Sequence, residues 1–169
     1  NHDISSLVPK CIHDYIIQHR LCSQPVILGL TGRAGSGKTK ASQIIKKNFN
    51  FRILDLDKIG HALLKNPKTI KELTHIFGST ILTPTQNINR KKLSNLVFSQ
   101  PKKLKILNKI IHPPLKKQVL KIISKHPHQN TLITGALLHK IGLTPLCHKI
   151  IVLDANLRQI KSINRKKYQ

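Results

Sequence analysis

The stretch Val26-Ile27-Leu28-Gly29-Leu30-Thr31 runs directly into Gly32-Arg33-Ala34-Gly35-Ser36-Gly37-Lys38-Thr39. An apolar, strand-like segment is thus followed by a glycine-rich loop that ends in Lys-Thr, which is the pattern of a phosphate-binding P-loop. Glycines in such a loop let the backbone curl so that its N–H groups point at phosphate oxygens. We therefore predict that the loop from Gly32 to Thr39 binds the phosphates of a nucleotide.

The residues after the glycines extend this prediction. Lys38 brings a mobile positive charge to the β- and γ-phosphates, and the hydroxyl of Thr39 is a ligand for Mg²⁺. The helix predicted from Lys38 to about Asn48 points its N-terminus, with its partial positive charge, at the same anion. A chance match is the alternative, but the preceding strand and the apolar helix side at Ile44 and Ile45 argue against it. The sequence therefore predicts a site for ATP with Mg²⁺.

Length and cysteine usage limit the class of protein. A chain of 169 residues can bury a hydrophobic core as one domain, or as a core with a small insertion. No apolar run approaches the length of a membrane span, and the N-terminal segment lacks the pattern of an export signal. Cys11, Cys22 and Cys147 fit neither a disulfide framework nor a CxxC metal site. We expect a cytoplasmic protein with free thiols and no membrane partner.

The charge of the chain is far larger than small ligands require. There are 30 Lys and Arg residues against 6 Asp and Glu, which gives a formal net charge of +24. One explanation is a nucleic-acid partner, because such a field attracts polyanions. The other is a compositional bias, since the basic residues are scattered and the chain has no Trp for base stacking. We favour the compositional explanation and keep nucleic acid as the alternative.

A second predicted strand, Arg52-Ile53-Leu54-Asp55-Leu56-Asp57, ends in two acidic residues and precedes a helix from about Lys58 to Leu64. The strand-helix-strand order predicts a parallel sheet, whose ligand crevice lies at the carboxyl ends of the strands. Phosphoryl transfer needs a carboxylate that orients the attacking hydroxyl and accepts its proton, and a further acceptor near Mg²⁺. Because strand side chains alternate, we do not expect both to face the same site, and we predict Asp57 as the catalytic group with Asp55 second. As the further acceptor near Mg²⁺ we predict Asp55. A helix N-cap is the alternative role for one of them.

A helical region follows without a convincing strand. We predict helices over 67–77, closed by Gly78, and over 89–98, 101–111 and 114–124. Residues 58–128 therefore form a helical insertion that can hold an acceptor substrate and exclude water. The nucleotide-binding core comprises residues 25–57 and 129–155, and residues 1–24 form a helical extension, with a short amphipathic helix from Cys11 to Cys22. The predicted fold class is α/β, a P-loop parallel sheet flanked by helices.

Three parts of the sequence, from about Val26 to the last residue, follow one family pattern. The first part is the P-loop with the acidic pair that ends Leu54-Asp55-Leu56-Asp57. The second and more specific part is a spaced series of residues: Asn89-Arg90, Leu93, Val97-Phe98, Pro101, Leu104, Leu107, Ile110 and Ile111-His112-Pro113. The third part is Thr131 to Leu138 followed by Lys149-Ile150-Ile151-Val152-Leu153-Asp154. Together these parts resemble the dephospho-coenzyme A kinases.

This resemblance implies roles for particular residues. It makes Asp57 the general base for the acceptor hydroxyl and places Arg90 and His112 in the coenzyme-binding helical region. A residue before a proline is pushed away from α conformation, so we expect His112 to sit at a helix boundary and point into a cleft. The resemblance also implies a lid over ATP that begins near residue 156, with Arg165 as the arginine that neutralises developing charge.

The chain also departs from the family pattern. Lys140, in Ala136-Leu137-Leu138-His139-Lys140, stands where the family has a glutamate after proline-leucine-leucine. The lid pattern matches only with a slip of one residue. Because the sequence contains no Met and the family continues beyond this point, we expect further chain beyond Gln169.

The resemblance implies one reaction, the ATP-dependent phosphorylation of the ribose 3′-hydroxyl of dephospho-coenzyme A by a monomer or small homo-oligomer. The alternatives are another P-loop kinase of nucleosides or nucleotides, or a degenerate P-loop protein that binds nucleic acid.

Overall fold

The computed structural model describes residues 25–154. The predicted N-terminal helix and the lid, including Arg165, lie outside the described residues. Two compact units divide the chain, and we call them the sheet unit and the helical unit. Within residues 25–154, the sheet unit comprises 25–56 and 122–154, and the helical unit runs from Asp57 to Lys121.

Strands and helices alternate at the start of the described range, helices fill its middle, and two strands separated by a short 3-10 turn (Thr144–Leu146) end it. The strands are β1 (Ile27–Gly32), β2 (Arg52–Asp55), β3 (Thr131–Thr134) and β4 (Lys149–Leu153). The helices are α1 (Lys38–Phe49), α2 (Leu56–Leu63), α3 (Pro67–Phe77), α4 (Arg90–Phe98) and α5 (Pro101–Ser124).

All strand pairs in the sheet unit are parallel, in the order β2-β3-β1-β4. The four residues of β3 are buried because this apolar strand lies between β2 and β1. Helix α1 packs on the sheet through Ala41, Ile45 and Phe49, against a core that includes Leu30 and Leu132. The predicted α/β class, a parallel sheet flanked by helices, is confirmed.

The strand that carries the acidic pair is shorter than we predicted. β2 ends at Asp55 and α2 begins at Leu56, so Asp57 lies in the first turn of a helix. Leu56 is buried and its side chain packs against the backbone of Gly135. The packing is so close that a Cβ added to Gly135 would lie only 2.9 Å from the Cβ of Leu56. This tertiary contact favours a turn directly after Asp55. The prediction that Asp57 ends a strand was therefore wrong.

Helix α5 also differs from the prediction, because it runs unbroken from Pro101 to Ser124 with Pro113 and Pro114 inside it. His112 is therefore a helical residue and not a boundary residue. The two prolines remove two N–H donors from the helix, which costs stability. Apolar residues on both sides of them offset this cost: Leu104, Leu107, Ile110 and Ile111 pack on the helical core, and Leu115 and Val119 are buried.

The helical unit has its own hydrophobic core, formed by Leu73, Ile81, Ile88, Leu93 and Val97. Side-chain caps fix where two of its helices begin. The side-chain oxygen of Asn66 accepts a hydrogen bond from the backbone N–H of Lys68 at the start of α3, and that of Asn89 accepts one from Lys92 at the start of α4. The helix predicted over 67–77 has these bounds in the structure.

The backbones of β1 and β4 approach closely at Gly32. Gly32 has a φ of +150°, and a Cβ placed there would lie 2.2 Å from the carbonyl oxygen of Leu153. We expect Gly32→Ala to lower the free energy of unfolding by roughly 2–4 kcal/mol, because backbone must move to admit the methyl group. Denaturant unfolding measures this change.

Gly60→Ala is the matched control for that substitution. Gly60 lies in α2, and an added Cβ there meets nothing within 4 Å. Alanine favours a helix, so this variant should gain about 0.5–1 kcal/mol. Equal midpoints for the two variants would contradict the close approach at Gly32.

Candidate active site

The loop after β1 has the curled backbone that a P-loop requires. Gly35 and Gly37 have φ values of +81° and +87°, which favour glycine, and the N–H of Ser36 donates to the carbonyl of Arg33 at 3.1 Å. Gly37 immediately precedes α1, so the first N–H groups of that helix open onto the loop. The predicted phosphate-binding residues, Gly32 to Thr39, are therefore placed as a cradle for an anion.

Lys38 holds its ammonium group over this loop. Its Nζ donates hydrogen bonds to the carbonyl oxygens of Gly32, at 2.9 Å, and Arg33, at 2.7 Å. The side chain is half-buried, so its charge is localised beside the loop instead of extending into solvent. The structure thus places a positive charge beside the loop, and its role toward nucleotide phosphates stays a prediction.

Ser36 supplies a feature that the sequence analysis did not single out. Its Oγ is buried and has no hydrogen-bond partner within residues 25–154. A buried hydroxyl without a partner costs about 1–3 kcal/mol, and a phosphate oxygen in the loop can accept its hydrogen bond. The serine therefore fits a phosphate in the loop. Its place between two glycines of the motif was the available signal.

The acidic residues concentrate at the carboxyl ends of strands. Of the four Asp and Glu residues within 25–154, Asp55 ends β2, Asp57 follows it by two positions and Asp154 follows β4 directly. The fourth, Glu72, is exposed on α3. Asp55 is half-buried and aligned with Thr134, whereas Asp57 is exposed. Asp55 and Asp154 place the negative charge of the described sheet unit at the edge from which the P-loop emerges.

The sheet unit offers few oxygen ligands for Mg²⁺. They suit an ion that takes most of its ligands from nucleotide phosphates and water. No group of three or more His, Cys, Asp or Glu side chains that could hold a metal exists in the described part of the chain. Mg²⁺ is commonly held by one or two protein oxygens together with phosphate oxygens and water. The exposed hydroxyl of Thr39 and the carboxylate of Asp55 are such donors. Asp55 lies two strands from β1, which is about 10 Å at normal strand spacing.

Two cavities lie in the helical unit, and Arg90 lines both of them. Their volumes are about 650 and 520 Å³, and both are lined by His61, Leu64 and Arg90. Cavities of this size suit a small-molecule ligand.

His112 lines neither cavity, and its Nε2 is buried. The expectation of a helix boundary at His112 was wrong, because α5 is continuous there, and the place of His112 in the acceptor-binding region stays a prediction.

Basic side chains in and just after α2 were missed in the sequence. Lys58 and His61, on α2, line the smaller cavity together with Arg90 and with Lys65, which follows the end of α2 by two residues. The spacing of three between Lys58 and His61 places them on one side of the helix, and this was a readable signal. Lys140 is exposed in the turns after β3.

Cys147 is a free thiol that packs under β1. Its Sγ donates to the carbonyl of Leu143 at 3.5 Å, and burial raises the pKa of the thiol above its usual value. The thiolate fraction near pH 8 is therefore reduced. We expect iodoacetamide to alkylate Cys147 at least about three-fold more slowly than a short peptide thiol, with the rate rising at higher pH. Peptide mapping by mass spectrometry measures Cys147 alone, and a rate equal to that of the peptide would contradict its burial.

The parallel sheet, the cradle after β1 and the acids at the strand ends define a P-loop protein of the nucleotide-kinase type. No helix in residues 25–154 is long and apolar enough to cross a membrane.

The model of the dephospho-CoA kinase family matches residues 26–167. The dephospho-CoA kinase of Borrelia garinii is 42% identical over 144 residues, which cover 85% of this chain and 68% of that protein. The enzyme of Borreliella burgdorferi is 40% identical, with the same coverage of both chains. The chain belongs to the dephospho-CoA kinase family.

Solved structures agree with the fold. A Thermus thermophilus protein superposes with a TM-score of 0.72 at 26% identity, over 86% of this chain and 73% of that one. The dephospho-CoA kinase from Campylobacter jejuni gives a TM-score of 0.54 at 18% identity, over 86% and 96% of the two chains, and supports the fold alone.

Proposed function

We propose that this chain transfers the γ-phosphoryl group of ATP to the ribose 3′-hydroxyl of dephospho-coenzyme A, giving coenzyme A and ADP. The observation that carries the proposal is the curled loop, with Lys38 Nζ over it and the buried Ser36 hydroxyl within it, in a chain of this family. Catalysis of phosphoryl transfer consists largely of positioning and charge stabilisation, and a preformed phosphate cradle supplies both.

The phosphate side of the reaction is assigned to the sheet unit. Backbone N–H groups from Gly35 to Lys38 hold the phosphates, and the Lys38 ammonium stabilises the charge on the β- and γ-phosphates. Thr39 and Asp55 are proposed to hold Mg²⁺, which neutralises charge on the phosphates when it is bound. Arg165, from the lid segment, is proposed to stabilise the charge that develops on the transferred group.

The acceptor side is assigned to Asp57, Arg90 and His112. Asp57 accepts the proton of the 3′-hydroxyl as the hydroxyl oxygen bonds to the γ-phosphorus. The bond from that phosphorus to the bridging oxygen breaks, and ADP leaves with the bonding electrons. Arg90 offers a planar fork to a phosphate of the acceptor. His112 is proposed to help shape the acceptor-binding region from within α5.

Ligand stabilisation tests the function directly. Each ligand that binds only the folded protein stabilises it by about 2.7 kcal/mol at a hundred times its Kd. ATP with Mg²⁺ and dephospho-coenzyme A should each raise the Tm by roughly 5–10 °C at that excess. Stabilisation by an oligonucleotide alone, lost steeply as salt rises, would favour the nucleic-acid alternative.

Acceptor identity needs a second measurement. ADP release should be fastest with dephospho-coenzyme A when it is compared with nucleosides and nucleoside monophosphates at equal concentration. Preference for a nucleoside would favour the alternative, a P-loop kinase of nucleosides or nucleotides.

A cytoplasmic location and a monomeric or small homo-oligomeric state belong to the same proposal. Size-exclusion chromatography tests the oligomeric state.

A further inference from the structure

One side of α5 carries a line of exposed lysines. We call four of them the lysine stripe: Lys102, Lys105, Lys109 and Lys117. They follow one another at intervals of three, four and eight residues, which places them on one side of a helix. The apolar side chains that pack α5 on the helical core fall on the other side, and they include Leu104, Leu107 and Ile111. The lysine stripe therefore faces solvent along most of the helix.

The positive charge of the lysine stripe has no acidic counterpart on α5. The helix contains no Asp or Glu, and the helical unit contains only Asp57 and Glu72. Like charges four residues apart, such as Lys105 and Lys109, destabilise a helix. Within residues 25–154 none of the four ammonium groups of the stripe makes a hydrogen bond or an ion pair. A bound polyanion would relieve this repulsion.

The length of the lysine stripe suits an extended anion better than a compact one. Lys102 and Lys117 lie fifteen positions apart in one unbroken helix, which corresponds to about 22 Å along its axis. One strand of a DNA duplex presents about six phosphates over that length. The four lysines can therefore neutralise several phosphates of one backbone at the same time.

The residue types on this side of α5 favour the backbone of a duplex as the partner. Lysine is a point charge that suits phosphate, and α5 contains no Arg for bidentate readout of bases and no Phe, Tyr or Trp for stacking of unpaired bases. The exposed apolar residues beside the lysines are Ile106 and Leu120, which are 38% and 40% exposed. A helix that lies in a lipid surface inserts a whole apolar face, and the helical core already occupies that of α5.

We propose that the lysine stripe of α5 binds the phosphate backbone of duplex nucleic acid without sequence preference. The contacts are ion pairs between the four ammonium groups and phosphate oxygens, and the release of counterions from the duplex drives them. This interaction goes beyond the proposed function and does not rest on it, because no residue of the stripe has a role in phosphoryl transfer.

Fluorescence anisotropy of the full chain with a labelled DNA duplex of about 20 base pairs tests the proposal. The fourfold variant Lys102→Gln, Lys105→Gln, Lys109→Gln, Lys117→Gln should raise the Kd at least about ten-fold at about 0.1 M salt. The plot of log affinity against log salt should become shallower by about 3–4 units, because each lost phosphate contact removes about 0.9. Two duplexes of unrelated sequence should give wild-type Kd values within about two-fold.

A matched control removes the same charge from other helices. Its four lysines are exposed on α1 and α3: Lys46, Lys47, Lys68 and Lys71. Their replacement by glutamine should keep the Kd within about three-fold and the salt slope within about one unit. Two half-variants, Lys102→Gln with Lys105→Gln and Lys109→Gln with Lys117→Gln, cover the case in which the fourfold variant does not fold. Each should lose about half of the slope that the fourfold variant loses.

Three outcomes would overturn the proposal. Equal losses in the stripe variant and the control would show that net charge, and not the stripe, carries the binding. Absence of wild-type binding to the duplex at about 0.05 M salt would remove the interaction itself. Stripe-dependent binding to vesicles of phosphatidylserine and phosphatidylcholine, with no competition by the duplex, would assign the stripe to a lipid surface.

The kinase reaction is measured in parallel. ADP release with dephospho-coenzyme A should be the same in the stripe variant and the wild type. Stripe-dependent binding of the duplex without any ADP release would contradict the proposed function and leave the stripe assignment standing. Normal ADP release with duplex binding unchanged in the stripe variant would contradict the stripe assignment alone.

Discussion

Asp57→Asn is expected to lower kcat by about 10²–10⁴-fold, the usual contribution of a general base. The amide keeps the size and shape of the carboxylate but cannot accept the proton of the acceptor hydroxyl. Asp57 is exposed in the first turn of α2 and has no place in either hydrophobic core, so the fold should be retained. Single-turnover measurements of ADP formation with saturating substrates isolate the chemical step.

Glu72→Gln is the matched control for this variant. Glu72 is also an exposed carboxylate on a helix of the helical unit, and its loss changes the net charge of the chain equally. It should leave kcat unchanged. Near-normal turnover in Asp57→Asn would show that Asp57 is not the base, and Asp55 would then be the next carboxylate to test.

Lys38→Ala should reduce kcat/KM for ATP by about 10²–10³-fold, as expected when one preorganised donor to a transferring phosphoryl group is removed. Two effects combine in this variant. The phosphates lose a nearby positive charge, and the carbonyls of Gly32 and Arg33 lose the hydrogen bonds that the ammonium donates to them. Steady-state kinetics with varied ATP and a parallel thermal melt measure both effects.

Lys40→Ala removes the same charge two residues further along α1. Lys40 is exposed, and it is not part of the loop. It should keep kcat/KM for ATP within about two-fold, because exposed charges on one helix are largely screened by solvent. Equal losses in Lys38→Ala and Lys40→Ala would mean that general charge, and not the position of Lys38, is what nucleotide binding requires.

The sequence predicted the P-loop well because its geometry depends on local residues. Gly35 and Gly37 adopt left-handed conformations within a few positions of Lys38, and the strand and helix on either side have their own clear patterns. Neither Asp57 nor His112 was placed correctly in its element. The reasons for these two errors differ.

Asp57 was misplaced because the alternating pattern before it is strand-like, whereas the strand ends where Leu56 packs against Gly135. That partner lies far along the chain, and no local pattern reveals it. His112 was misplaced because a local rule about proline was applied where tertiary packing overrides it. Leu107 and Leu115, on either side of the two prolines, pack well enough to keep α5 continuous.

The cavities of the helical unit show a third kind of difficulty. Arg90 was found through its resemblance to a family pattern, but Lys58 lies on α2 and Lys65 follows the end of that helix. Among 30 basic residues, sequence alone does not say which ones share a cavity. Lys58, His61, Lys65 and Arg90 line the smaller cavity together, and only the fold shows this.

The contact between Gly32 and Leu153 has a mechanical consequence. The first residue of the phosphate cradle and the last residue of β4 touch through their backbones, with no side chain between them to yield. A side chain at position 32 would push the backbones of β1 and β4 apart. The glycine that opens the nucleotide-binding motif is therefore also required by the sheet, so its presence reports on folding as much as on ligand binding.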